Sequence, residues 1–186
     1  PVFAMNWTDH KTNELTEGFK EKGFLPQSFI NLLAVLGWND GTEQEIFTMD
    51  ELIEKFSVDR ISKAGAKFDF EKAKWFNHEY IKKSEAALLK PQILELLKNR
   101  DILLADDDYL VKVIDLVKER LVFLQDFWEQ SSFFFQQPAE YDLNAVKPKW
   151  NDSKTEFFQV LSSEFAGLST WDLAGIEADF KKLVES

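Results

Sequence analysis

The sequence contains no cysteine, which excludes disulfides, thiolate catalysis and thiolate zinc sites together. That fits a reducing compartment. Histidine is nearly as scarce: only His10 and His78 occur, and no cluster of carboxylates surrounds either for a zinc ion. No apolar run reaches the roughly 18 residues of a membrane span. The opening PVFAMNWTDHK lacks the basic-then-apolar order of a signal peptide, and the start at Pro1 without an initiator Met suggests a missing upstream segment. Glycine is sparse, and Gly65 in SKAGAKF stands alone rather than in phosphate-loop spacing. There is no GxSxG, HExxH or EF-hand loop. Nothing singles out a carboxylate pair or an acid–base couple, so an independent hydrolase finds no support.

What is present is ordinary in bulk and unusual in kind. The 186 residues suffice for one large domain or two to three small ones, and 45% are hydrophobic and 30% charged. The aromatics are 18 Phe and 6 Trp against only 3 Tyr. Net charge is −11, which argues against non-specific nucleic-acid binding over the whole surface. Between Arg60 and Lys83, however, seven basic residues (Arg60, Lys63, Lys67, Lys72, Lys74, Lys82, Lys83) face three acids (Asp69, Glu71, Glu79), a local charge of +4. On the residues alone, a solvated and charge-mixed face is the preferred reading of this island. A directed anionic contact is the alternative.

The pattern along the chain is helical. Residues 1–21 read as irregular, with VFAMNW as a possible short strand and the run from Asp9 to Lys22 as loop. Pro26 suits the first position of a helix, where its missing N–H costs nothing. Phe29, Ile30, Leu33, Ala34 and Leu36 then form a broad apolar face, and Gly37 can stop the helix through positive φ. Asn31 is the one polar residue in that run, suited to tying the helix to its neighbours. Asp40-Gly41 marks a turn. Thr48 and Glu51 have capping-box spacing before Leu52, Ile53 and Phe56. Asp69 can cap a third helix running to about Phe76.

A second helical module follows, with Pro91 starting a helix over 92–99 and an acidic connector over 101–108. From Tyr109, Leu110, Val113, Ile114, Val117, Leu121 and Leu124 recur at helical spacing. The run FWEQSSFFF (127–135) is expected to be mostly core; an exposed platform for stacked bases is the alternative. Pro138 and Pro148 mark breaks. Ser153 and Glu156 again have capping-box spacing, for a helix over about 154–165. A last helix, capped near Ser169 or Thr170, carries Leu173, Ile176, Phe180 and Leu183. Asp106, Asp107 and Asp108 read as a solvated helix start rather than a metal site. His78 reads as a partner at a surface or junction. The expected fold class is all-α, a multi-module helical bundle, and a binding or scaffold module suits it better than an independent enzyme.

Four stretches together resemble one family: GFLPQSFINLLAVLGW (23–38), EQEIFTMDELIEKF (43–56), DRISKAGAKFDFEKAKWFNHEYI (59–81) and VKERLVFLQDFWEQSSFFF (117–135). In order, spacing and residue type they are similar to the C-terminal half of bacterial glutamyl-tRNA synthetases, in Bacteroides-like forms. The resemblance implies a class I parent enzyme that joins glutamate to tRNA with ATP and Mg2+ through a glutamyl-adenylate. The family's HIGH-type and KMSKS-type motifs do not occur in this sequence, so the fragment is expected to lack the catalytic domain, to bind no cofactor or metal and to be inactive alone.

The resemblance further implies an irregular lead-in over 1–22, a stem-contact module over 23–84, a first anticodon-binding domain over 85–136 and the start of a second over 138–186. Its implied partner is tRNA(Glu), in a monomeric, cytoplasmic protein without membrane attachment. Arg120, in VKER, falls at the family position whose arginine reaches an anticodon base. It follows Val117 by three and precedes Leu124 by four, so its side chain need not be buried, and a guanidinium fork suits a base edge or a phosphate. Arg60, Lys63, Lys67 and Asn77 are weaker candidates for contact with the tRNA backbone or stem, the lysines positioning through phosphates rather than reading sequence. The competing class is a helical structural or protein-interaction module without RNA binding.

Overall fold

The computed structural model describes residues 2–63, 65–104 and 107–185. Its helices are α1 (Pro26–Gly37), α2 (Met49–Lys55), α3 (Phe70–Lys83), α4 (Ala86–Lys98), α5 (Asp107–Val117), α6 (Phe127–Ser131), α7 (Leu143–Val146), α8 (Asp152–Ala166) and α9 (Leu173–Glu185). A small sheet pairs β1 (Trp7–Thr8) with β2 (Leu15–Thr16) antiparallel, so a strand does lie in the lead-in, later than VFAMNW would start it and partly within the expected loop. The all-α expectation holds. The chain divides into two compact units, one up to Gln137 and one from Pro138.

In the first unit, the most regular pattern in the sequence became core. Leu110, Val113, Ile114, Val117, Leu121 and Leu124 are all buried, with Ile81, Leu89, Ile93, Leu97 and Phe127 around them. A second cluster joins Phe19, Phe24, Leu32, Ala73 and Phe76, where Phe19 meets four other rings: Phe24, Phe29, Phe68 and Phe70. A third is Trp38, Phe47 and Leu52. Tyr80 packs against both of the first two.

Local signals account for several boundaries. Pro26 opens α1, the full capping box of Thr48 and Glu51 opens α2, and Asp69 accepts from the amides of Glu71 and Lys72 at the start of α3. α3 runs on past Phe76 to Lys83, because Phe76, Asn77 and Ile81 continue its buried face. Gly41 (φ +86°) makes the expected turn, whereas Gly37 ends α1 without positive φ, the chain leaving through extended Trp38. Gly23 is favoured by its backbone, with φ at +87°, while the Gln125 side-chain amide that packs over it is a flexible end that could move aside for a Cβ.

Other expectations fail for identifiable reasons. The buried stripe of α1 is Ser28, Asn31 and Leu32, while Ile30 and Leu33 are exposed. Asn31 belongs inside because its Oδ1 accepts from Phe47 N–H (2.8 Å) and Tyr80 O–H (2.8 Å), and its Nδ2 donates to Glu45 O (2.9 Å). Ile53 on α2 and Phe56 just beyond its end likewise stay exposed. Pro91 does not start its helix but lies inside α4, on the exposed side, where the Ala87 carbonyl it leaves without an amide partner can meet water.

In the second unit α8 begins at Asn151, accepting from Lys154 N–H, and α9 at Asp172, accepting from Gly175 N–H, rather than at Ser153 and Ser169 or Thr170. The Phe run is split: Phe127 is buried, Phe134 and Phe135 pack against the core, and Phe133 is exposed.

Candidate functional site

Arg120 closes a single 3₁₀ turn, Lys118–Arg120, that follows α5 directly. Its neighbours Val117 and Leu121 are buried, and Arg120 itself is exposed. The backbone beyond it is held on both sides. His78 Nδ1 lies 2.9 Å from Leu121 O, and because a carbonyl only accepts, this nitrogen carries the hydrogen. Asn77 Nδ2 donates to Val122 O at 2.6 Å. Asp126 Oδ2 accepts from Val122 N–H (3.1 Å) and Phe123 N–H (2.8 Å). Lys118 donates to Ser84 O (3.0 Å) and pairs with Asp115 (2.7 Å). The arginine is thus carried on a turn fastened to α3 and to the segment just after it.

Asn77 is corrected by this geometry. It is fully buried; its Oδ1 accepts from Leu25 N–H at 2.8 Å and its Nδ2 serves Val122 O and, at 3.4 Å, Gly23 O. A side chain so enclosed offers no edge to a nucleic acid. His78, expected at a junction, sits at one.

The basic island divides in two. Lys72 pairs with Glu45, Lys74 with Glu71 (2.9 Å) and Lys83 with Glu79 (3.9 Å), so these three are largely answered by acids. Arg60 donates through Nη1 to Asp40 O, which spends one of its five donors and holds the side chain against the turn at Gly41. Lys63 and Lys67 lie exposed on the segment before α3. Asp40 itself is held below the usual carboxylate range, first by the Thr42 hydroxyl, with Lys55 assisting.

Of the three consecutive aspartates, Asp106 and the side chain of Asp107 lie outside the described residues. Among the described residues, no three His, Asp or Glu side chains converge as metal ligands. A groove of about 660 Å³ between the lead-in, α1 and α4 is lined by Phe19, Phe24, Phe29 and Leu124, with Lys20 and Glu95 its only charged lining residues. It holds no pair of carboxylates.

Residues 70–186 match the family model described as anticodon binding domain, and residues 9–75 match that of the class I tRNA synthetases (E and Q), catalytic domain. The two matches meet inside α3. A glutamate–tRNA ligase of Phocaeicola vulgatus is 43% identical over 185 residues, covering 100% of this chain and 36% of that protein. One from Flavobacterium psychrophilum is 46% identical over 182 residues, covering 97% and 35%. A solved glutamate tRNA ligase from Elizabethkingia meningosepticum, in complex with its amino acid, superposes with a TM-score of 0.89 at 34% identity, over 100% of this chain and 36% of that one. The chain therefore spans little more than a third of the length of these relatives.

Proposed function

The chain belongs to the anticodon-binding domain family, and on that premise we propose that it is the tRNA-holding part of a glutamate–tRNA ligase, with tRNA(Glu) as its partner. The observation that carries this reading is an exposed arginine on a rigidly fastened turn within the matched residues. Arg120 contacts an anticodon base, while Arg60, Lys63 and Lys67 contact the sugar–phosphate backbone. We assign residues 23–84 to the stem side of the tRNA, 85–136 to a first anticodon-binding domain and 138–186 to the start of a second.

The ATP and Mg2+ of ligation are assigned to the portion of the relatives' length that this chain does not span. The sequence here has no glycine-rich phosphate loop, and no ligand cluster lies among the described residues. The ligase is assigned to the cytoplasm and acts as a monomer. Among the described residues no helix is long and apolar enough to cross a membrane.

Titration of the chain with tRNA(Glu) at low salt, beside an unrelated tRNA, tests the reading. Binding should favour tRNA(Glu), and its logarithm should fall linearly with the logarithm of salt concentration. Arg120→Ala should weaken binding about five- to 150-fold, the range of one good base contact. Lys63→Ala and Lys67→Ala should weaken both tRNAs alike and flatten the salt slope by about one unit each. Absence of binding at low salt would leave the protein-interaction module as the better account. Pyrophosphate exchange by this polypeptide alone would overturn the division of labour.

A further inference from the structure

We propose that His78 and Asn77 are positioning residues for Arg120, through which α3 sets how the arginine is presented to tRNA. The proposal rests on the reading of Arg120 as a tRNA contact. Neither side chain touches the RNA in this scheme. They act on the carbonyls of Leu121 and Val122, in the two peptide units that follow Leu121.

The physical case begins with what packing alone can do. Val117 and Leu121 are buried on either side of the turn, which fixes its depth in the core. Burial of apolar surface is non-directional, however, and leaves the tilt of the peptide planes open. Hydrogen bonds are directional. His78 takes the carbonyl of Leu121, Asn77 the carbonyl of Val122, and Asp126 the amides of Val122 and Phe123. Leu121 N–H closes the turn on Lys118 O at 3.2 Å. Backbone groups from Leu121 N to Phe123 N are thereby each given a partner, and the two carbonyls are answered from one helix. The chain swings from the 3₁₀ turn to extended geometry at Leu121 (φ −89°, ψ 124°), so the direction of the Arg120 side chain depends on that swing.

α3 is also fastened at its other contacts. Asn77 receives Leu25 N–H at the entrance to α1, and Tyr80, one turn along, bonds Asn31 on α1 and the carbonyl of Phe47. The same helix therefore joins residues of both family matches and holds the turn that bears the arginine. A displacement of α3 relative to α5 would reach Arg120 through two hydrogen bonds rather than through soft contacts.

The test uses the full chain and a double-mutant cycle. His78→Leu removes the donor while keeping bulk; His78→Asn returns an N–H near the place of Nδ1. Asn77 is fully buried and its replacement endangers folding, so His78 carries the test. Binding of tRNA(Glu) is titrated for each variant with and without Arg120→Ala, and amide exchange is followed at Val122 and Phe123. His78→Leu should weaken binding about tenfold when Arg120 is present and leave it unchanged when Arg120 is replaced, a coupling typical of interacting residues. His78→Asn should restore binding, and exchange at the two amides should rise only for His78→Leu.

Equal weakening in both arginine backgrounds would overturn positioning and leave His78 a stabilising residue. So would a failure of His78→Asn to rescue while Val122 and Phe123 exchange as in the wild type. If Arg120→Ala alone leaves binding unchanged, the contact reading itself falls, a result separate from the coupling arm.

Discussion

The two units of the molecule are built from similar helices and stabilised differently. Up to Gln137, three apolar clusters enclose aromatic and aliphatic side chains to near-zero exposure, as at Phe47, Phe76 and Ile114. From Pro138 onward no described residue is buried, and Trp171, Leu173 and Val184 are 65%, 82% and 60% exposed. The second unit has well-formed caps at Asn151 and Asp172 and aromatic pairs such as Trp150 on Phe158 at 5.3 Å. Caps and neighbour pairs suffice to shape a helix, whereas most helix stability in proteins comes from packing an apolar face. The first unit has both contributions and the second mainly the local one.

The largest expected contrast comes from removing a ring in each. Phe76→Ala in the first unit should cost about 3–5 kcal/mol, the usual loss for a fully buried Phe. Phe180→Ala, in a side chain 43% exposed that meets Phe157 edge-on, should cost about 1 kcal/mol. Denaturant midpoints of the two variants measure the difference. Equal losses would mean that the second unit is held by burial after all.

The next contrast is polar. Asn31→Leu strands the Phe47 N–H inside the first unit, at about 1–3 kcal/mol for a buried group left unsatisfied, and leaves the Tyr80 hydroxyl only the Phe47 carbonyl. A thermal melt should show a loss well beyond that of any single polar replacement after Pro138. The same network has a pH signature. Burial, with Glu51 nearby, raises the Tyr80 phenol to about 12 from an ordinary 10. The folded state therefore keeps its proton where the unfolded state loses it, so stability is whole below about pH 10 and declines from there toward pH 12. Urea unfolding at pH 9, 10.5 and 11.5 should show the decline, and Tyr80→Phe should flatten it.

These residues also show what was legible in the sequence. The stripe Leu110, Val113, Ile114 and Val117 could be read because apolar periodicity and burial coincide there. The pattern continued through Leu121 and Leu124 although α5 ends at Val117, since a 3₁₀ turn and a bend can keep side chains pointing inward without a helix. The face of α1 was misread because its buried side includes Ser28 and Asn31, which hydropathy assigns to solvent. Asn31 stands out in its apolar run, yet its partners lie up to 49 residues away and leave no local trace. Asn77 and His78 meet Val122 and Leu121 across 45 and 43 residues, so nothing local in the sequence shows what they hold. Arg120 was found only through resemblance; nothing in VKER distinguishes it from a surface arginine.

The smallest contrast uses the same device in both units. Thr48 caps α2 through its hydroxyl, accepting from Glu51 N–H at 3.2 Å, and Glu51 returns a bond to Thr48 N–H at 2.7 Å, which holds that carboxyl below its usual range. Asn151 caps α8 by accepting from Lys154 N–H at 3.0 Å. Replacing either by Ala should cost its helix about 1 kcal/mol. The consequences should differ in reach. α2 carries Leu52 into the cluster with Trp38 and Phe47, so Thr48→Ala should lower the melting midpoint of the first unit as a whole. No residue of α8 is buried, so Asn151→Ala should speed amide exchange within the first turns of α8 and leave slow amides in α3 and α5 unchanged. Exchange mapped by mass spectrometry separates the two outcomes, and a global effect of Asn151→Ala would show that the helices after Pro138 fold as one cooperative body with the core before Gln137.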